Sequence, residues 1–360
     1  MVLVAAPWFC AVILAAAAVF EGDRIDPMAS QSSQPASRRA LRTPPVKGAY
    51  WVAFAPYELN TDGAQLSTSA VLCAEPFESI VVSFCGVLQE GAIAEVEVQL
   101  QTDSGWSAFV PMLKATGAAK GTRYESIRQA PGGGLQLEVD TLSVPNGKEA
   151  YGFQLRVRTK GTVELRALAA TYYKKQAPAL PVVSSSPAWG TVLDVPQRSQ
   201  GIEDPALAHR ICSPTSVAMV LEYLGVSLPT AEVARRCYDT ASNLYGNWSV
   251  NAAAASEMLG GPVYAVRARS FAEIEAEILS GRPVVLSHSW KAGELSGAPL
   301  DGTAGHLIVV CGFTPEGDLV VNDPAFRSGQ VRRTYKRSEI WKTWQQNASG
   351  IVYLFRPKES

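Results

Sequence analysis

Histidine is scarce in this chain of 360 residues: His209, His288 and His306 are the only three. No HExxH and no CxxC pair occurs, and the histidines lie far apart, so the sequence has no zinc-type ligand spacing. GxxxxGK[ST] and a strand-linked GxGxxG are also missing, which removes the two common phosphate cradles. No motif asks for a metal or a cofactor. Charge is in short supply as well. Charged residues make up 18% of the chain, against about 25% in an average globular protein. Lys plus Arg (32) balances Asp plus Glu (33), for a net charge of −1. Such a chain has no basic field to hold a phosphate backbone or an anionic membrane, so nucleic acid is excluded as a partner class. After Phe20 no charge-free apolar stretch reaches transmembrane length.

Hydrophobic residues, in contrast, are 47% of the chain. That supports sizeable cores and excludes a wholly disordered chain. At roughly 150 residues per domain the length predicts two domains. Met1 to Phe20 carries no charged side chain, and the small-residue run Ala15 to Ala18 precedes Glu21. Residues 1–21 read as an export signal cleaved near Ala16 to Ala18, or as a retained membrane anchor. The first reading makes the protein secreted or cell-envelope; the second gives it a membrane contact. Residues 22–46, rich in Ser, Pro, Ala and Arg, read as a tether. A second break, QAPALPVVSSSPAW at 176–189, reads as a linker. Five cysteines follow the signal: Cys73, Cys85, Cys212, Cys237 and Cys311. The number is odd, so at least one thiol stays free or pairs between molecules, and the other four form two bridges or none.

Residues 47–175 alternate as β structure. Ser79 to Phe84 is a compact β-branched and aromatic run, and Glu95 to Gln101 and Gly152 to Arg158 alternate strictly. Pro131 to Gly134 is a glycine-rich turn, and no helical period appears. A β-sandwich is the economical reading. Trp106 is expected to pack rather than stack on a ligand.

Residues 190–360 switch to mixed α and β. Pro214 to Leu224 forms one helical stripe stopped by Gly225, and Ser249 to Leu259 a second helix stopped by Gly260. Ser270 and Glu273 form a capping-box pair ahead of a third helix that ends at Gly281. Strands are predicted at Val284–Leu286, Leu307–Val310, Asp318–Asn322 and Ile351–Phe355, with a short helix near Ser338–Trp344. The expected class is α+β: a β-sandwich followed by a papain-like α+β domain.

Cys212 stands immediately before the first of these helices, where unpaired N–H groups and the positive dipole end favour a thiolate. His306 opens a strand, with Gly305 before it to permit close backbone approach. Asp323 closes the next strand. A hairpin turning at Thr314 to Gly317 brings Asp323 back beside His306. An imidazole between a thiol and a carboxylate is the activated-nucleophile arrangement. His209 reads as a loop histidine on the rim. Trp248 and Asn247 are candidate substrate-binding residues beside His288, although packing is the plainer reading for Trp248 and His288. Asn247-Trp248-Ser249 and Asn347-Ala348-Ser349 fit the glycosylation sequon, a pattern common by chance.

The stretch from about Leu193 to Phe355 resembles the peptidase C39-like family of papain-fold cysteine peptidases. The resemblance rests on VPQRSQ (Val195 to Gln200), CSPTSVAMVLEYLG (Cys212 to Gly225), GNW (Gly246 to Trp248), GHLIVVCGF (Gly305 to Phe313) and VNDPA (Val321 to Ala325). The β-rich region is similar to one that precedes this module in secreted bacterial members. The resemblance implies Cys212 as nucleophile, His306 as base and then acid, and Asp323 as the orienting carboxylate. It implies Gln200 as the oxyanion-hole side chain, with Gln197 as fallback. Two departures flank that position: a longer stretch between Gln200 and Cys212, and Ile211-Cys212-Ser213-Pro214 where many members carry Asp-Cys-Gly-Pro. The implied activity is peptide-bond hydrolysis. The alternatives are an amidase or acyltransferase on cell-envelope peptides, and a catalytically silent binding or adhesion protein whose sandwich takes a glycan or cell-envelope ligand.

Overall fold

The computed structural model describes residues 50–174, 180–181, 183–202 and 205–358, all within one compact unit. The expected signal and tether lie outside the described residues. None of the described helices is long and apolar enough to cross a membrane.

Between Trp51 and Tyr173 the elements are strands apart from one 3-10 turn at Pro56–Glu58, and they form two antiparallel sheets. A five-stranded sheet runs in the order Trp51–Phe54, Val163–Tyr173, Ser79–Leu88, Thr141–Ser143, Gln136–Glu138. The eight-stranded sheet is built around Ala150–Lys160, Ile93–Thr102 and Val110–Thr116. Strict alternation works as predicted here: Leu100, Val98 and Val96 lie opposite Phe153, Leu155 and Val157, and all six are fully buried. Side chains of the two sheets meet, with the rings of Phe153 and Tyr172 5.5 Å apart. On the outer face Glu97 is only 2% exposed because Arg156 and Arg158 both pair with it. Trp106 sits on the two-residue strand Gly105–Trp106 and is 41% exposed, a partly covered ring.

The run beginning at Ser79 does not alternate, and its strand, Ser79–Leu88, is buried on both faces for most of its length. One face looks into the β-rich core. The other receives the C-terminal region: Ser249 Oγ donates to Val82 O (2.7 Å), Ala265 N to Ser83 Oγ (2.9 Å) and Cys85 Sγ to Val263 O (3.4 Å). Asp239 accepts from Ser126 N and Oγ, and Glu257 from Thr122 N. The β-rich and C-terminal regions therefore share a polar and apolar seam.

The C-terminal region holds a six-stranded antiparallel sheet in the order Val263–Arg267, Ile351–Phe355, Val284–Trp290, Thr303–Phe313, Leu319–Asn322, Arg332–Tyr335. Its helices are α1 (Cys212–Tyr223), α2 (Thr230–Arg236), α3 (Trp248–Leu259), α4 (Phe271–Leu279) and α5 (Arg337–Trp341), the last running into a π turn at Lys342–Gln346. Gly260 ends α3 at φ 74°, the left-handed conformation that glycine adopts without strain. The expected capping box of α4 does not form. Ser270 makes no side-chain cap: the Glu273 N–H donates to the Ser270 carbonyl, and the Glu273 carboxylate accepts from the main-chain N–H and the guanidinium of Arg269. Helix α2 and the strands Val263–Arg267 and Arg332–Tyr335 were not anticipated. The helix has seven residues, too few to show a period.

Candidate active site

Helix α1 opens at Cys212, so its first N–H groups have no partner within the helix. Cys212 is half-buried. Its sulfur accepts from the backbone N–H of Ser213 and Leu307 and hydrogen-bonds to His306. His306 comes from the strand Thr303–Phe313, and Asp323 follows the strand Leu319–Asn322. The hairpin between them sets Val309 opposite Asn322 and turns at Thr314 to Gly317. His306 Nε2 donates to Asp323 Oδ1 at 2.7 Å. That leaves Nδ1 for the sulfur. Asp323 is fully buried and takes two further donors, Tyr335 Oη on Oδ2 (2.7 Å) and Ala325 N on Oδ1 (3.0 Å).

Burial opposes charge on all three groups, and their mutual contacts outweigh it. For His306 the Asp323 carboxylate and the Cys212 sulfur raise the imidazole from 6.5 to about 10. Burial pushes the Cys212 thiol up, but the hydrogen bond and charge of His306 and the two N–H groups bring it below its usual 9.0. Asp323 falls below 3.8, with His306, Tyr335 and Ala325 overriding burial. Together these shifts favour a thiolate–imidazolium–carboxylate chain. The other thiols go the opposite way: burial lifts Cys85 to about 11 and Cys73 and Cys311 to about 12, and raises Cys237 as well. All five cysteines among the described residues are free, so no bridge forms between them.

A cleft of about 620 Å³ opens over Cys212. Three non-glycine residues among the described ones have positive φ: Val139 (55°), Asn243 (54°) and Ser349 (61°). All three line this cleft. Such conformations cost on the order of 1–3 kcal/mol and gather at functional sites. The described residues contain no group of three His, Cys, Asp or Glu able to hold a metal.

Residues 192–351 match the model of the Peptidase_C39 like family. The C-terminal region is C39-like. Two solved structures are similar to this chain over 47% of its length. One, described as a C39-like peptidase from Bacillus anthracis, is 18% identical and covered over 99% of its length, with a TM-score of 0.37. The other is a double glycine motif protease from an AMS/PCAT transporter in complex with the leader peptide, 22% identical, covered over 95%, with a TM-score of 0.31. No curated protein matches the chain.

Within the C39-like region the structure brings Cys212, His306 and Asp323 together. Trp248 lines the cleft, and its indole Nε1 donates to Ser287 Oγ at 3.3 Å. Asn247 also lines it, but its side chain is committed: Oδ1 caps α3 through Val250 N (3.0 Å) and Nδ2 donates to Asp239 (2.8 Å). At 2% exposure, Asn247 is closed off as a glycosylation acceptor in this fold. His209 is exposed on the rim. His288 lines the cleft and is fully buried, so it is both packed and part of the wall. Gln200 is not among the cleft-lining residues. It is 8% exposed, its N–H donates to Pro324 O (2.9 Å), and its Oε1 has no partner among the described residues. Gln197 is taken: its Oε1 accepts from Arg332 N (3.0 Å). Gly305 faces open space, so close approach by the chain's own backbone is not its role.

Sequence reasoning missed Tyr335 and Asp140. Tyr335 lies twelve positions past Asp323 on an unanticipated edge strand. Asp140, from the β-rich region, is 8% exposed, accepts from Trp248 N at 2.6 Å and lines the C39-like cleft. No signal in the sequence pairs Asp140 with Trp248, because the seam that joins them is purely tertiary.

Proposed function

We propose that the chain is a cysteine peptidase that hydrolyses peptide bonds through Cys212, His306 and Asp323. The observation that carries this reading is the continuous hydrogen-bonded chain from Cys212 through His306 to Asp323, with the sulfur at the start of α1. The Cys212 thiolate attacks the scissile carbonyl carbon, and its oxygen becomes an oxyanion. His306 gives its proton to the leaving amine as the C–N bond breaks, leaving a thioester. Water then attacks the thioester while His306 takes its proton, and the thiolate departs from the released carboxylic acid. Asp323, held by Tyr335 and Ala325, keeps Nε2–H in place and stabilises the imidazolium. The oxyanion donors in this proposal are the Cys212 N–H and the Gln200 side-chain amide, each worth roughly 3 kcal/mol in the transition state.

The proposal extends to the layout: an export signal at 1–21, a tether to 46, a β-sandwich at 47–175, a linker at 176–189 and a papain-like peptidase domain at 190–360. The two antiparallel sheets with meeting side chains support the sandwich. The uncharged apolar stretch Met1 to Phe20 supports export to the cell envelope or beyond. The test is cleavage of a peptide library by the purified protein. Cys212→Ser is expected to abolish it, and activity unchanged by that substitution sinks the reading. Release of an amide adduct when amine nucleophiles are added would instead identify an acyltransferase.

A further inference from the structure

Polar side chains line the cleft over Cys212, and most of them are committed within the protein. Trp248 Nε1 donates to Ser287 Oγ (3.3 Å) and Asn347 Nδ2 to Ser289 O (3.1 Å). Asn243 Oδ1 accepts from Arg210 (2.7 Å) and from Tyr238 (2.8 Å). Of the buried side-chain nitrogens and oxygens on the residues that line this cleft, one has no partner among the described residues: His288 Nε2. A fully buried polar atom without a partner is uncommon and asks for a role.

The contacts of the ring fix what that nitrogen can do. Thr343 Oγ1 donates to Ile340 O (3.3 Å) and so accepts from His288 Nδ1 (3.3 Å). The imidazole is then the Nδ1–H tautomer, and Nε2 carries a lone pair. Burial, then the charge of His306, lowers this ring from 6.5 to about 3, so it stays neutral and Nε2 accepts. In the strand register His288 stands directly opposite His306, with ring centroids 5.6 Å apart. The acceptor therefore sits beside the imidazole that serves Cys212. The wall there is low. Ala304 and Gly305, the two exposed residues before His306, line the same cleft with no side chain beyond a methyl. A Cβ placed on Gly305 would meet nothing within 4 Å. A main chain can lie flat on such a wall, and its N–H groups are donors that a peptide brings whatever its side chains.

We infer that His288 is a substrate-binding residue, whose Nε2 accepts a hydrogen bond from a main-chain N–H of the peptide held over Cys212. The inference rests on the peptidase reading above. It adds one fixed point that orients the peptide by its backbone and reads none of its side chains.

The test is an amide-to-ester scan. The probe is the tightest binder selected from a short-peptide library by the full chain carrying Cys212→Ala, which cannot turn it over. Each main-chain N–H of that peptide is replaced in turn by an ester oxygen, and binding is measured. At one position the ester is expected to bind roughly tenfold more weakly. Two variants in the same background assign that loss. In His288→Asn the amide nitrogen takes the Nδ1 place beside Thr343 and nothing accepts at the Nε2 place, so amide and ester are expected to bind alike there. In His288→Gln the side-chain oxygen reaches the Nε2 place, and most of the gap is expected to return. A packing role alone would weaken both peptides equally and leave their ratio unchanged. Should His288→Asn fail to fold, isotope-labelled histidine reads the same bond in the Cys212→Ala chain. The His288 Nε2 resonance is expected to move upfield when the amide peptide binds and to stay in place with that ester. An ester loss that at no position depends on residue 288, or a library from which no peptide is retained, overturns the inference. His288-dependent binding without cleavage by the unmodified protein removes the peptidase reading and leaves this contact. Cleavage with ester losses untouched by His288→Asn does the reverse.

Discussion

The charge state of Cys212 depends on a residue that does not touch it, and Asp323→Asn exposes that dependence. Asn is nearly isosteric and still accepts from His306 Nε2, so the fold is expected to persist. What is lost is the carboxylate charge 2.7 Å from the imidazole. The gap between 6.5 and about 10 on His306 is a roughly 3000-fold preference for the protonated ring. With the carboxylate removed, burial dominates and the ring titrates below 6.5. Cys212 then loses its imidazolium partner, and the buried thiol rises to 9 or above. At pH 7 the thiolate share of Cys212 therefore falls in the variant. A more basic thiolate is a better nucleophile, which offsets part of that loss, so alkylation is expected to slow by roughly tenfold. The assay is iodoacetamide labelling of Cys212, followed by mass spectrometry from pH 6 to 9. The unmodified protein is expected to label with a shallower rise over that range than the variant, and at Cys212 ahead of Cys73, Cys85, Cys237 and Cys311, whose thiols burial holds above 9.0. The variant is expected to rise about tenfold per pH unit. A variant that labels as fast as the parent, with the same pH profile, refutes the reasoning. Labelling of the parent no faster than that of denatured protein would instead favour a silent thiol.

Two further outcomes follow from the same contacts. Tyr335→Phe removes one of three donors from a fully buried carboxylate, so stability is expected to fall by about 1.5–3 kcal/mol in urea melts, with kcat reduced more than KM is changed. Asp140 has its carboxyl raised by burial from 3.8 to about 6, so it favours the folded state below pH 3.8, and that contribution is lost as pH rises through 6. Asp140→Asn lacks this titration and is expected to gain on the parent protein by up to roughly 3 kcal/mol between pH 4 and 7, and parallel stability curves would count against it.

Much of the site was legible in residue order. Cys212 before a helix-forming stripe, and His306 and Asp323 on either side of a hairpin turn, needed only local periodicity and one antiparallel pairing to converge. The oxyanion position was harder. Gln200 lies on a 3-10 turn tied to Pro324, and neither period nor spacing reports where such a turn directs a side chain. The capping box at Ser270 failed for a related reason: residue types predicted the reciprocal bonds, and Arg269 took the Glu273 carboxylate instead.

The sequence by itself determined which stretches become strands and helices over most of the chain, which thiol stands at a helix start, and which family the C-terminal region resembles. These are local properties, carried by alternation, caps and motif order. Only the tertiary structure decided that Tyr335 buttresses Asp323, that Ser79–Leu88 is buried on both faces, and that Asp140 of the β-rich region walls the cleft at Trp248. Each of these joins residues distant in sequence across a packed seam, where burial and hydrogen-bond satisfaction select the partner and no short-range pattern records it.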